Sequence, residues 1–156
     1  MNTINEQQAN KQKIQLYLGR VNDFFSQIND WFKDDLEVTT FPIQVGETLG
    51  TYEAPAIDIR EKGQTESLAN ITPKGANVIL TEGMLEMKGW IDRAHFDYMI
   101  NGGPQVTMVP GKKLPMFKGI NQDGWYWIVN PVTRTTRFAD KSLLLELITL
   151  VSDHEF

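Results

Sequence analysis

The amino-acid sequence carries its clearest structural signal in residues 85–100, which read LEMKGWIDRAHFDYMI. Apolar and polar side chains alternate there twice, before and after the Gly89-Trp90 pair. The apolar positions are Leu85, Met87, Phe96, Tyr98 and Ile100. An alternation of period two buries one face of a strand and leaves the other in water, which is typical of an antiparallel sheet.

The same alternation recurs at Ile57 and Ile59, and turn-forming residues are confined to the middle of the chain. All seven prolines lie between Pro42 and Pro131, and most glycines lie in the same region. The gaps between strand candidates are too short for crossover helices, which argues against a parallel nucleotide-binding sheet. We therefore predict an antiparallel, curved, meander-like sheet of about six to eight strands over residues 38–138.

Apolar residues of the N-terminal region recur at steps of three and four, the spacing of one face of an α-helix. They are Ile14, Leu18, Val21, Phe25, Ile28 and Phe32. The spacing predicts a helix over residues 13–36, ending near Leu36, whose stripe either packs on the sheet or docks on a partner. Residues 1–12 are polar and aperiodic, so they either form a frayed tail or extend the helix into solvent.

The C-terminal region predicts a second helix, over residues 140–153. Asp140 is suited to cap its N-terminus, because the carboxylate can accept a free backbone N–H. Apolar residues cover most of the circumference, so the helix lies either in the core or at the interface of a homodimer. The whole chain, residues 1–156, is predicted to be a single α+β domain with both helices on one face of the sheet.

The composition narrows the class of protein. With 41% hydrophobic and 22% charged residues, the chain of 156 residues is of the globular type. It contains no cysteine, which excludes disulfides, thiolate metal sites and a cysteine nucleophile. Neither a membrane span nor a secretory signal is apparent, so we expect a cytoplasmic protein.

Charge is unevenly distributed along the chain. The formal net charge is -5, yet residues 104–138 contain five basic residues and one acid, a net of +4 that leaves -9 for the rest. This basic segment is either a docking face for an anionic partner or a loop that serves solubility. A nucleic-acid partner is not expected, because the molecule as a whole is acidic.

Sequence motifs of known chemistry are missing. Val106 occupies the place where a P-loop preceding Gly111 would need its first glycine, and the dinucleotide fingerprint and the nucleophile elbow are also lacking. His95 and Asp97 share one face of a strand and are the nearest approach to an acid–base or metal cluster; the alternative is an ordinary polar surface. We therefore predict no catalytic residue, no cofactor and no metal, and an enzyme is the less favoured class.

An aromatic and basic group is the strongest candidate for a binding surface. Trp125 and Trp127 share one face of a strand, and two arginines follow on what reads as the next strand. Such groups form interface hot spots, although large aromatic side chains also fill cores. The predicted contact residues are Trp125, Trp127, Arg134 and Arg137, with Lys112 and Lys113 on the adjoining loop.

Three functions remain open on this basis. The favoured one is a protein-interaction module of the inhibitor, immunity, adaptor or chaperone type, whose partner is another protein. The first alternative is a small-molecule-binding protein or enzyme with a pocket between the sheet and a terminal helix, using His95, Asp97, Tyr98 or a nearby arginine. The second is a structural subunit of a homo-oligomer.

Overall fold

The computed structural model describes residues 3–156, which form two helices and nine strands. The helices are α1 (Thr3–Phe32) and α2 (Lys141–Ser152). The strands are β1 (Leu36–Glu47), β2 (Gly50–Glu61), β3 (Ser67–Gly75), β4 (Met84–Lys88), β5 (Arg93–Met99), β6 (Gln105–Val109), β7 (Lys112–Pro115), β8 (Gly124–Asn130) and β9 (Thr135–Phe138). Among these residues, neither helix combines the length and the apolar character needed to cross a membrane.

The main sheet has seven strands in the order β1-β2-β3-β4-β5-β8-β9, and every neighbouring pair is antiparallel. The chain therefore runs as a meander that is interrupted once, where β6 and β7 form a separate two-stranded sheet between β5 and β8. The predicted α+β fold with an antiparallel, meander-like sheet is confirmed.

The core lies between the two helices and one face of this sheet. Cross-strand register places Ile57, Ile71, Met87 and Ala94 in one row, and all four are buried. Side chains of both helices pack on this row in a single apolar cluster. Because each fully buried aliphatic side chain contributes roughly 1.5–3 kcal/mol, this shared face provides most of the driving force for folding.

The boundaries of α1 differ from those predicted. The helix begins at Thr3, so residues 3–12 extend it, and residues 5–9 are exposed to solvent. Met1 and Asn2 lie outside the described residues. It ends at Phe32 rather than near Leu36, because Leu36 is buried as the first residue of β1 and pairs with Glu61. Pairing with β2 along a strand of 12 residues thus overrides the helical spacing.

Both ends of α2 are capped by specific hydrogen bonds. The carboxylate of Asp140 accepts from the backbone N–H of Leu143 at 2.8 Å, as the sequence predicts. At the other end, the carbonyl oxygen of Val151 accepts from the N–H of Ile91 at 3.0 Å, in the β4–β5 turn. The apolar residues that suggested a dimer interface mostly lie in the chain's own core, and Leu150 is the large apolar residue of α2 that is exposed.

The hairpin of β1 and β2 extends beyond β3. The β2–β3 pairing ends at Ile57 and Ile71, and the next hydrogen-bonding positions along this register are Pro55 and Pro73, which have no N–H to donate. The tip of the hairpin is attached instead through Glu47, whose carboxylate accepts from the backbone N–H groups of Ala76 and Asn77, each at 2.9 Å. We call this contact the Glu47 clamp.

The Glu47 clamp also holds a tyrosine. The hydroxyl of Tyr52 donates a short hydrogen bond to the same carboxylate. Burial, followed by this hydrogen bond, raises the pKa of Tyr52, which favours the protonated hydroxyl that donates to Glu47.

Gly89 provides a test of the contact between the β4–β5 turn and α2. A Cβ atom at this position would overlap the backbone carbonyl oxygen of Val151. Gly89→Ala should therefore lower the free energy of unfolding by about 1–3 kcal/mol, measured by urea denaturation. Gly19→Ala is the control, because nothing lies within 4 Å of that position on α1, and it should raise stability by up to about 1 kcal/mol. Equal effects of the two substitutions would contradict this packing.

Candidate functional site

The candidate site is built on the connection between β5 and β8. These strands are neighbours in the sheet, but the chain between them forms a ribbon of its own, and nearly every residue of β6 and β7 is exposed. The N–H of Gly102 donates to the carbonyl of Ile120 at 2.9 Å, and the N–H of Met116 donates to the carbonyl of Pro104 at 2.8 Å. Strands β6 and β7 continue this pairing outward and place Lys112 and Lys113 on an exposed strand.

A small second core supports the base of the ribbon. Met99, Ile120 and Tyr126 are buried together, with Phe117 and Ile128 packed against them. Tyr126 also donates from its hydroxyl to the carbonyl oxygen of Gln122 at 2.7 Å. Because Trp125 points into the main core and Tyr126 is the next residue of β8, this second core lies on the sheet face opposite the helices. The ribbon that carries the β6–β7 hairpin thus has its own apolar anchor.

The ribbon returns along the outer edge of β9 and places Lys118 beside Arg134. Lys118 pairs with Thr135, its N–H donates to the carbonyl of Arg134 at 2.8 Å, and its own carbonyl accepts from the Thr136 hydroxyl at 2.6 Å. Lys112 and Lys113 precede Lys118 on the same segment. The chain from Lys112 to Lys118 spans at most about 20 Å. The side chains of all four cations are exposed.

Exposed apolar side chains accompany these cations. The apolar residues are Met108 and Val109 at the end of β6, Leu114 on β7, and Val129 and Val132 beside the β8–β9 turn. Val132 is 87% exposed and Met108 67%. We call these apolar residues, together with Lys112, Lys113, Lys118 and Arg134, the hairpin surface.

Acidic side chains are lacking from this surface. The one acid in residues 104–138 is Asp123. Its carboxylate accepts from the backbone N–H of Asn101 at 2.8 Å, at the base of the ribbon. The hairpin surface is therefore positively charged as well as partly apolar.

The two tryptophans predicted as contact residues do not belong to the hairpin surface. Trp125 is only 4% exposed, its ring stacks on Phe24 at a centroid distance of 5.7 Å, and its indole N–H donates to the carbonyl of Arg20 at 3.3 Å. Trp125 is thus a core residue, the second of the two alternatives. Trp127 is half-buried and packs against the same core, because residues two apart on a strand face the same way.

Arg137 is also separated from the predicted group. It pairs with Trp127 across β8 and β9, on the helix side of the sheet, and its guanidinium forms an ion pair with Glu146 of α2. This arginine therefore joins β9 to α2. Lys118 takes its place beside Arg134, a contact between distant residues that no local sequence pattern could indicate.

His95 and Asp97 lie on the sheet face opposite the helices. Asp97 accepts from the Thr81 hydroxyl at 3.0 Å, whereas the imidazole Nε2 of His95 lies 4.0 Å from the nearer carboxylate oxygen. Burial raises the pKa of Asp97. Within residues 3–156, no group of three or more histidine, cysteine, aspartate or glutamate side chains is placed to hold a metal ion.

A cleft between α1 and the sheet corresponds in part to the predicted pocket. It has a volume of about 190 Å³ and is lined by Arg20, Tyr98 and Trp125 among others. The guanidinium of Arg20 lies 4.2 Å above the centre of the Tyr98 ring. The other two polar residues assigned to the pocket, His95 and Asp97, are on the opposite face. Ligand pockets usually measure about 300–1,000 Å³, so this cleft would accept only a small group.

Comparison with known proteins does not assign the chain to a family. A search of protein-family models, of curated proteins and of solved structures found no match. Function is therefore inferred from the placement of the chain's own residues.

The core position of Trp125 can be tested by truncation. Trp125→Ala should lower the free energy of unfolding by about 3–5 kcal/mol, because it removes a buried aromatic ring and leaves a cavity. Trp127→Ala is the control on the same face and should cost clearly less, since that ring is half-buried. Thermal and urea denaturation measure both values. Similar small losses for the two variants would place Trp125 outside the core.

The burial of Asp97 predicts a dependence of stability on pH. Because folding raises the pKa of this carboxyl above its ordinary value of 3.8, the fold favours the protonated form, and that contribution is lost as the pH rises through the folded-state pKa. Asp97→Asn remains neutral and can still accept from Thr81. The variant should unfold at higher urea concentration than the wild type at pH 7, and the gain should disappear well below pH 3.8. A gain that is independent of pH would contradict this interpretation.

Proposed function

We propose that this protein is a cytoplasmic interaction module, of the inhibitor, immunity, adaptor or chaperone type, that binds an acidic surface of another protein through the hairpin surface. The observation that carries the proposal is the combination of four exposed cations with exposed apolar side chains. Lys112, Lys113 and Lys118 are on the ribbon between β5 and β8, and Arg134 lies beside it after β8.

The charge of the hairpin surface favours a protein partner. Exposed cations steer an acidic partner toward the site and fix its orientation, while apolar side chains such as Val132 and Met108 provide contact area that loses water on binding. Apolar residues exposed this far are typical of interaction sites when they are grouped. A loop that served only to keep the protein soluble would need the charged side chains but not these apolar ones.

The alternative partners and functions have less support. Nucleic acid would be repelled by the acidic remainder of the molecule, because the total net charge is -5. A small-molecule function would use a groove between α1 and the sheet. The groove lined by Asn22, Phe41 and Pro55 measures about 410 Å³, but His95 and Asp97, the polar residues predicted for a pocket, do not line it. A structural homo-oligomer built through α2 would need apolar residues of that helix that instead pack in the core.

Charge reversal on the hairpin surface tests the proposal. The tagged protein is purified gently from its native cytoplasm, the bound protein is identified by mass spectrometry, and its dissociation constant is measured. The variant Lys112→Glu/Lys113→Glu/Lys118→Glu/Arg134→Glu should bind about tenfold more weakly, because exposed charge pairs contribute roughly 0.2–1 kcal/mol each. Binding of the wild type should also weaken as salt is added.

A matched control changes the same number of charges elsewhere. Lys11, Lys33, Lys62 and Lys88 are exposed and lie outside the hairpin surface, so their replacement by glutamate should leave the dissociation constant nearly unchanged. Unchanged binding by the hairpin variant, or equal losses in both variants, would overturn the proposal. So would a bound macromolecule that nuclease removes.

A further inference from the structure

The two edge strands of the main sheet, β1 and β9, differ in whether another segment of the chain covers their outer side. The outer edge of β9 is covered by the segment around Lys118, which pairs with Thr135. At the other end of the sheet, β1 has β2 as its only strand neighbour. Among the described residues, no backbone hydrogen bond reaches β1 from its outer side. Such an edge is a template for pairing with another strand.

The turn of the hairpin determines which backbone groups of β1 point outward. Thr48 and Leu49 connect the strands, so Glu47 and Gly50 must be a hydrogen-bonded pair. Hydrogen-bonded and non-bonded pairs alternate along an antiparallel ladder. The residues whose N–H and C=O groups point away from β2 are therefore Val38, Thr40, Pro42, Gln44 and Gly46.

The positions of Pro42 and Pro55 independently support the same assignment of outward-pointing backbone groups. Pro42 pairs with Pro55, and neither has an N–H, so this pair cannot be a hydrogen-bonded one. The imide nitrogen and ring of Pro42 consequently face the open edge, at the centre of the outward row. Pro42 is exposed there.

We propose that Pro42 prevents β1 from pairing with β1 of a second copy of this chain. Without the proline, the outward row is suited to a two-fold antiparallel contact in which Val38 faces Gly46 and Thr40 faces Gln44. Such a contact is closed and self-complementary. In the native chain the two proline rings would meet at the symmetry axis, where each also removes a donor.

Shifted registers do not avoid this block. A shift by two residues keeps the outward groups opposite one another but still places Pro42 against a backbone group of the second copy. A shift by one residue places the outward-pointing backbone groups of one copy opposite residues of the other copy whose backbone groups point inward, so no hydrogen-bond ladder forms. The proline therefore interrupts every antiparallel pairing that uses the full strand, and it does so outside the hairpin surface.

The experiment restores the missing donor. Pro42→Val should raise the molar mass measured by light scattering from that of the wild type toward twice that value, in a concentration-dependent way; one chain has a mass of 17.8 kDa. The amide protons of Val38, Thr40, Gln44 and Gly46 should exchange with solvent more slowly in the associated form than in the wild type. Pro42→Ala is a second variant that restores the N–H with a small side chain.

Two control variants make the test specific. Pro55→Val makes the same change at the register partner, but the new N–H points toward β3, so this variant should have the mass of the wild type. Thr40→Pro added to Pro42→Val blocks the edge again at a neighbouring outward position and should restore the wild-type mass.

The proposal is overturned if folded Pro42→Val and Pro42→Ala keep the wild-type mass at all concentrations. It is equally overturned if Pro55→Val associates as strongly, since loss of a rigid proline would then explain the association. Capture of a foreign extended peptide by folded Pro42→Val, without self-association, would assign the edge to a different occupant and would also contradict the proposal.

Discussion

The shared face of the sheet is the constraint on which the rest of the structure depends. Both helices bury their apolar residues against one cross-strand row. A register shift of one residue in any strand would therefore expose that strand's apolar side chains to solvent. The row therefore fixes the register of the sheet from β2 to β5. It also fixes which residues are left for the opposite face, including the buried carboxyl of Asp97 and the small core under the ribbon.

The fold could be predicted because its signals are local. Alternation within each strand, helical spacing and the cap at Asp140 are all readable from neighbouring residues. The end of α1 was not, because Leu36 continues the apolar helical stripe but is bound into β1 by pairing with Glu61, a contact of long range. Local preference and tertiary pairing disagree there, and pairing decides the outcome.

The candidate site was only partly readable for the same reason. Alternation shows that Trp125 and Trp127 share a face, but it does not show which face the helices cover. The basic segment was visible as a charge imbalance, whereas its division into Arg137, paired with α2, and Lys118, placed beside Arg134, requires contacts between distant residues. The charge distribution thus located the basic region, residues 104–138. Only the structure shows which of its residues contact the rest of the protein and which face solvent.

The Glu47 clamp divides the protein into parts of unequal mechanical strength. Beyond Pro55, the β1–β2 hairpin is joined to the residues after β3 by side-chain hydrogen bonds rather than by a continuous ladder. The Glu47 carboxylate accepts from Ala76 and Asn77, and the Thr48 hydroxyl accepts from the Asn77 amide. Its outer half therefore has fewer backbone hydrogen bonds to lose than the laddered strands, although Leu49 and Tyr52 pack against the core, and local opening there costs less free energy than global unfolding. The protein is in this respect a laddered sheet with one arm that is held by side-chain contacts, of which the Glu47 clamp makes the most hydrogen bonds.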